Sequence, residues 1–308
     1  MLNLKYQDND TAIHKLNALC KLFWVLNIVI FAMIVNHPLY LICLFLCTLP
    51  VVAVAKVHRE WLSFMKFTVY LCLAIIVINA LVSNQGAHVL FAIPLKFPVL
   101  GRPVVTLEAI FFGVAMSLRL ITIISAFAIL TLVIHPDDLM QTMTKLKLPY
   151  KSVLVISLCS RFIPSLLDDV DCIRDVQRSR GLEMDKGRLL LKIKRRFSII
   201  IPLLSNSLDK AVQVSEAMES RAFGTGKGRT FYKELTLSRM DIGMLALGFI
   251  TLVLGLLLLY YGYGDYSYYP QLSAIGLEAA GWTRLAGLMI LLLAVVPLAF
   301  IKKRVDFD

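Results

Sequence analysis

Six stretches of this chain are too apolar and too long to sit comfortably in water: 19–35, 39–55, 62–82, 109–134, 242–261 and 282–301. A helix needs about 20 mainly apolar residues to cross the hydrocarbon core of a bilayer. The rest of the composition agrees. Hydrophobic residues make up 58% of the 308 positions and mean hydropathy is +0.74, above the roughly 45–50% apolar usage of soluble domains. A soluble protein with this surface would expose aggregating patches, so the bilayer is the expected solvent. The expected fold class is all-α: a polytopic membrane helical bundle of about six spans.

Charge placement sets the expected orientation, because Lys and Arg collect in cytoplasmic loops. With the N-terminus inside, the inner segments are 1–18 with Lys5 and Lys15, then 56–59 with Lys56 and Arg59, then 135–241, then Lys302-Lys-Arg304. The outer segments carry only Lys96 and Arg102, both in 83–108. That outer segment holds Pro94, Pro98, Gly101 and Pro103 and reads as a loop. No small-residue cleavage site follows the first apolar run, so the first helix is expected to remain as an anchor. The reading is a multi-pass membrane protein with both termini cytoplasmic, divided as 1–134 (spans 1–4), 135–241 (cytoplasmic) and 242–308 (spans 5–6).

The segment between spans four and five is unusual. Residues 135–239 hold 19 of the 32 Lys and Arg residues together with 12 acids, which describes a mixed-charge helical domain and not a polybasic tail. Leu166, Leu167, Val170, Ile173 and Val176 recur at helical spacing, as do Leu208, Ala211, Val212, Ser215 and Met218. Amphipathic helices joined at Pro149, Pro164 and Pro202 are expected. There is also an internal echo. Ile163-Pro-Ser-Leu-Leu167 leads to Arg178-Ser-Arg-Gly181, and Ile201-Pro-Leu-Leu-Ser205 leads to Glu219-Ser-Arg-Ala-Phe-Gly224. Each unit runs from a Pro through an apolar stripe to Ser-Arg and a helix-stopping Gly. An Arg at an exposed helix end presents five donors in a rigid fork suited to a partner carboxylate; the plainer reading is a cation placed on a helix C-terminus.

These residues resemble the T components of energy-coupling-factor transporters, a family that includes the membrane subunits of cobalt and nickel importers. The stretch 156–181 is similar to the family's first signature region, and 202–224, ending Ala217-Met-Glu-Ser-Arg-Ala-Phe-Gly224, to the second. His135-Pro-Asp-Asp-Leu139 with Leu146-Lys-Leu-Pro149, and Thr11-Ala-Ile-His-Lys-Leu-Asn17 with Lys21-Leu22, resemble the usual lead-ins. The resemblance implies that two Ala-Arg-Gly motifs end coupling helices that dock into two cytosolic ABC-type ATPases, while the membrane part embraces a small substrate-binding S component. The matching positions are Ser179-Arg180-Gly181 and Ser220-Arg221-Ala222. Both keep Arg and replace Ala by Ser; the second also replaces Gly by Ala, with Gly224 able to relieve the turn. The implied function is coupling for import of vitamins or metal ions. ATP and Mg would be bound by the ATPases, leaving this chain no cofactor, no metal and no catalytic residue.

Other constellations carry less. Gly224-Thr-Gly-Lys-Gly-Arg-Thr230 fails as a phosphate loop, because Arg221 stands where the first Gly belongs and Gly228 where a Ser or Thr must follow the Lys. Arg119 falls inside the fourth span, where ionisable groups are costly and often functional; it is a candidate for pairing with another helix or a partner, for lining a polar face, or for snorkelling. Glu108 reads as a solvated boundary charge. Cys20, Cys43, Cys47, Cys72, Cys159 and Cys172 show no disulfide or metal spacing and read as small buried hydrophobes. The five His residues are scattered.

Asp168, Asp169, Asp171 and Asp175 read as a solvated face. They also support the alternative from another class, a membrane-embedded enzyme acting on lipid or isoprenoid phosphates. A third reading is an ordinary ABC permease that conducts substrate itself. No reading involves nucleic acid.

Overall fold

Helix boundaries follow from capping residues at the ends of the apolar runs. α1 (Ala18–Ile34) starts where the Asn17 side chain accepts the Leu19 N–H at 3.1 Å, satisfying one of the orphan donors of a first turn. α2 (Pro38–Ala55) has Pro38 at its first position and His37 Nδ1 accepting the Leu39 N–H at 3.3 Å. Burial pulls the His37 pKa below its ordinary value of 6.5, which suits a ring that must be neutral to accept there. Lys56, left-handed at φ 56°, turns the chain into α3 (His58–Val82). α4 (Leu107–Val133) is capped by Thr106, whose Oγ1 accepts the Ala109 N–H at 3.3 Å.

α5 (Tyr150–Ser179) and α6 (Leu189–Ser220) follow, then α7 (Arg239–Tyr260) and α8 (Ala279–Leu293). The Ser238 N–H donates to Asp241 Oδ2 at 3.1 Å and opens α7.

The structure, a computed structural model, describes residues 11–14, 16–83, 86–92, 104–135, 138–139, 142, 150–181, 189–224, 238–262, 264–270, 272–273 and 279–298. Pro94, Pro98, Gly101, Pro103, the 146–149 lead-in, residues 225–230 and Lys302–Arg304 lie outside them. Two compact units form: Met1–Leu139 with Thr236–Asp308, and Met140–Leu235.

In the first unit, five helices are long and apolar enough to cross a membrane: Pro38–Ala55, His58–Val82, Leu107–Val133, Arg239–Tyr260 and Gly281–Leu298. The expected first span is an apolar helix of 17 residues, about 25 Å long, cut short by the turn at Val35–His37. The chain is an integral membrane protein.

α4 packs against α1, α2 and α3; α1 also meets α7, α2 meets α8, and α7 meets α8. Lipid tails are as apolar as Leu, so helices in a bilayer are drawn together by close packing and hydrogen bonds. α4 provides both. Ala109, Gly113 and Ser117, spaced by four, lie on one face of α4, where Gly113 and Ser117 meet α3. A Cβ on Gly113 would stand 3.1 Å from the Ile76 Cα. Ser117 Oγ lies 2.8 Å from Gly113 O and 3.2 Å from Cys72 O. On another face Trp61 Nε1 donates to Ser125 Oγ at 3.0 Å, Ser125 sits 2.9 Å from Thr48 Oγ1, and Thr48 donates to Phe45 O at 2.7 Å. Trp can only donate and Thr48 spends its proton on Phe45, so Ser125 donates to Thr48. Three helices are thus joined by one directed chain.

Several expectations need correction. Residues 83–108 are not simply loop: β1 (Val89–Ala92) pairs antiparallel with β2 (Val104–Thr106), a short apolar ribbon that the prolines between them obscured. Glu108 is fully buried and not solvated. It takes the His88 N–H at 3.1 Å and lies 2.7 Å from His88 Nδ1. Pro164 and Pro202 lie inside α5 and α6 and do not join helices. An interior proline removes one hydrogen bond and kinks a helix, but it does not end one whose helical pattern resumes beyond it.

The tyrosine-rich segment after α7 also turns inward. Tyr266 and Tyr268 are buried with Ala115. Burial raises the Tyr266 hydroxyl pKa and pushes that of Tyr268 up to about 12.

Candidate functional site: two arginine-capped helix ends

In the second unit α5 packs on α6. Lys210 on α6 reaches Ser165 Oγ at 3.0 Å and Asp169 Oδ2 at 2.5 Å on α5. The two charges are 35% and 24% exposed, so the pair is partly shielded and joins the helices at one level. Asp169 is therefore a bracing residue and not part of a solvated face. Asp171, by contrast, makes an exposed i,i+3 pair with Arg174 at 3.3 Å, of a kind worth about 0–1 kcal/mol. Among the described residues no three His, Cys, Asp or Glu side chains gather as a metal set. Beyond the brace each helix runs eleven residues, Asp169 to Arg180 and Lys210 to Arg221, or about 16 Å.

Both ends turn through a left-handed residue directly after the Arg. On α6 the Ala222 N–H bonds Glu219 O at 2.8 Å and the Phe223 N–H bonds Met218 O at 3.0 Å. These are the five-to-two and six-to-one bonds of a helix closed by a left-handed residue. That residue is Ala222, at φ 54°, and Arg221 is the C-cap. On α5 the Gly181 N–H bonds Arg178 O at 2.9 Å with Gly181 at φ 81°, and Arg180 is the C-cap. The serine before each Arg folds back on its own helix, Ser179 Oγ onto Asp175 O and Ser220 Oγ onto Ala217 O, both at 3.0 Å.

Ser179, Arg180, Gly181, Ser220, Arg221, Ala222 and Gly224 are all exposed. Since backbone groups close both caps, neither guanidinium is needed to hold its helix end.

Ala222 carries the left-handed turn itself, although Gly224 is also at positive φ, 93°. A Cβ in that region costs about 1 kcal/mol. Ala222→Gly is expected to steady the cap by about that amount, slowing amide exchange at Phe223 about fivefold. Gly181→Ala is expected to loosen the other end equally. Hydrogen exchange with residue resolution checks both; an Ala222→Gly cap that exchanges faster would contradict the strain.

Arg119 belongs to the first unit. Its Nη2 donates to Val35 O and to Asn36 Oδ1, both at 2.8 Å. Asn36 is gripped in turn: its N–H donates to Gly264 O at 3.0 Å and its carbonyl accepts from Tyr268 Oη at 2.6 Å. Of the roles open to an intramembrane Arg, the contacts display a tie to the α1–α2 turn within the chain. Sequence reasoning missed these acceptors because residues 83–84 positions away and a backbone carbonyl leave no spacing signal. It missed Lys210 as the brace because one Lys among many basic neighbours does not stand out.

Residues 9–232 match the CbiQ family, described as a cobalt transport protein. The chain is 31% identical over 250 residues to the energy-coupling factor transporter transmembrane protein EcfT of Lactococcus lactis subsp. cremoris, covering 78% of this chain and 91% of that one. The EcfT of Clostridium kluyveri is 31% identical over 246 residues, 77% of this chain and 88% of its own. That of Streptococcus thermophilus is 30% identical over 259 residues, 80% and 95% respectively.

Proposed function

This chain belongs to the CbiQ family as a transmembrane T component of an energy-coupling-factor transporter, and from that premise we propose that α5 and α6 are its coupling helices. Arg180 and Arg221 enter acidic grooves on two ABC-type ATPase subunits. The ATPases bind and hydrolyse ATP with Mg, so this chain has no cofactor and no catalytic residue. Movement of the tips passes along α5 and α6 to the membrane helices and from them to a small S component that holds a vitamin or a metal ion.

The observation that carries this reading is the pair of exposed Arg C-caps, each closed by backbone bonds and each followed by a left-handed residue. Small neighbours at Ser179, Gly181, Ser220 and Ala222 let such an end enter a groove, and the Lys210–Asp169 brace lets the two helices move as one body. In this reading 135–241 faces the cytoplasm of a bacterial cell and both termini lie on that side, as the Lys and Arg distribution favours.

Purification of the tagged chain in mild detergent tests it. Two ATPases and one small hydrophobic protein are expected to accompany the chain, and the ligand of that small protein identifies the cargo. A stable chain recovered alone, turning over a lipid phosphate, would replace this reading with the enzyme.

A further inference from the structure

Between α7 and α8 the packing is incomplete and leaves a cavity of about 230 Å³. Its wall is made by Leu254, Gly255, Leu258, Leu288 and Leu291, and it stays open where Gly287 brings no side chain. A Cβ on Gly287 would meet nothing within 4 Å. The Thr251 hydroxyl in the wall is already spent on Leu247 O at 2.8 Å.

Charge and polarity are confined to one end, where Arg284 and Tyr261 complete the lining. At that same end the aromatic rings of Tyr260, Tyr261 and Trp282 are 86%, 72% and 52% exposed. Amphipathic rings turned outward at the end of a span mark the headgroup level of a bilayer. The slot therefore runs from headgroup level at Tyr261 down to Thr251, ten residues of helix, or about 15 Å.

We propose that this slot is a site for an anionic phospholipid, one acyl chain lying between α7 and α8 and the phosphate held by Arg284 with Tyr261 beside it. The dimensions choose the occupant: a 230 Å³ slot of that length admits an alkyl chain and not a second helix of about 10 Å diameter. The guanidinium fork matches phosphate oxygens, and the apolar wall offers nothing to a polar solute. Because α7 packs on α1, and α8 on α2, a lipid wedged there props the outer helix pair against the inner bundle.

Native mass spectrometry of the delipidated full chain tests this, with phosphatidylglycerol and phosphatidylcholine added in turn. One tightly held phosphatidylglycerol per chain is expected, with phosphatidylcholine held more weakly. Arg284→Gln is expected to weaken phosphatidylglycerol retention about tenfold, the loss of a charged hydrogen bond. Gly287→Leu, which fills the slot without touching the charge, is expected to abolish it. Millimolar inorganic phosphate is expected not to displace the lipid.

Equal retention by wild type and both variants would overturn the site, as would displacement by phosphate alone. So would a cysteine placed at Gly287 cross-linking to a protein subunit in the assembled transporter. Transport-coupling variants leave these readouts untouched, so the two proposals fail separately.

Discussion

Arg180→Glu and Arg221→Glu are each expected to abolish energised uptake while the protein remains folded and inserted. Both side chains are exposed, and the helix ends they cap are closed by backbone hydrogen bonds. Reversal therefore costs the isolated chain little, about 0.3–1 kcal/mol for an anion at a helix C-terminus. In the proposed docking, the cost at the interface is much larger. Truncating one partner of a buried, hydrogen-bonded charge pair costs about 2–5 kcal/mol, and reversal adds repulsion from the groove. A drop of at least a hundredfold in ATPase association is expected, with uptake falling to background.

Labelled-substrate uptake in cells carrying the whole transporter reads the effect, and size-exclusion profiles of the variants report the fold. Arg→Lys at either site is expected to restore part of the activity, because a point cation keeps the charge and loses the fork. Normal import by both reversed variants would remove the coupling role from these ends.

Gly113→Leu is expected to prevent accumulation of well-folded protein. At this point α4 meets the backbone of α3, not a movable side chain: a Cβ alone would lie 3.1 Å from Ile76 Cα and 3.5 Å from Asn79 Cβ. Three further carbons must push the helices apart and break the approach of Ser117 to Cys72 O. Overpacking of this kind costs on the order of 3 kcal/mol, a large share of a stability of about 5–15 kcal/mol. Gly243→Leu is the contrasting control, since nothing lies within 4 Å of its added Cβ. Fluorescence-detected size exclusion separates the two; a monodisperse Gly113→Leu profile with an unchanged melting temperature would show that α3 and α4 can yield there.

The membrane class and the helical character of each apolar run were legible without coordinates, since length and hydropathy suffice for a bilayer span. The echo of Ser-Arg pairs was legible for a similar reason: helix ends are written in local residues. The joints at Pro164 and Pro202 were misread because a proline marks a break in the local pattern, whereas α5 and α6 carry the helical pattern through it. Glu108 was misread because its acceptor role depends on His88, 20 residues earlier, brought back by a ribbon that hydropathy does not reveal.

What the amino-acid order determined by itself is therefore whatever one helix can express alone: which segments enter the bilayer, where they are capped, and that two of them end on an arginine. Tertiary structure decided what each side chain meets. It set Arg119 against the α1–α2 turn, Lys210 against Asp169, Gly113 against the α3 backbone, and the left-handed turn on Ala222. The reason is physical. Hydropathy and capping act over a few residues, while hydrogen bonds and close packing in a membrane protein join residues tens to hundreds of positions apart, and only the folded chain brings them within 3 Å.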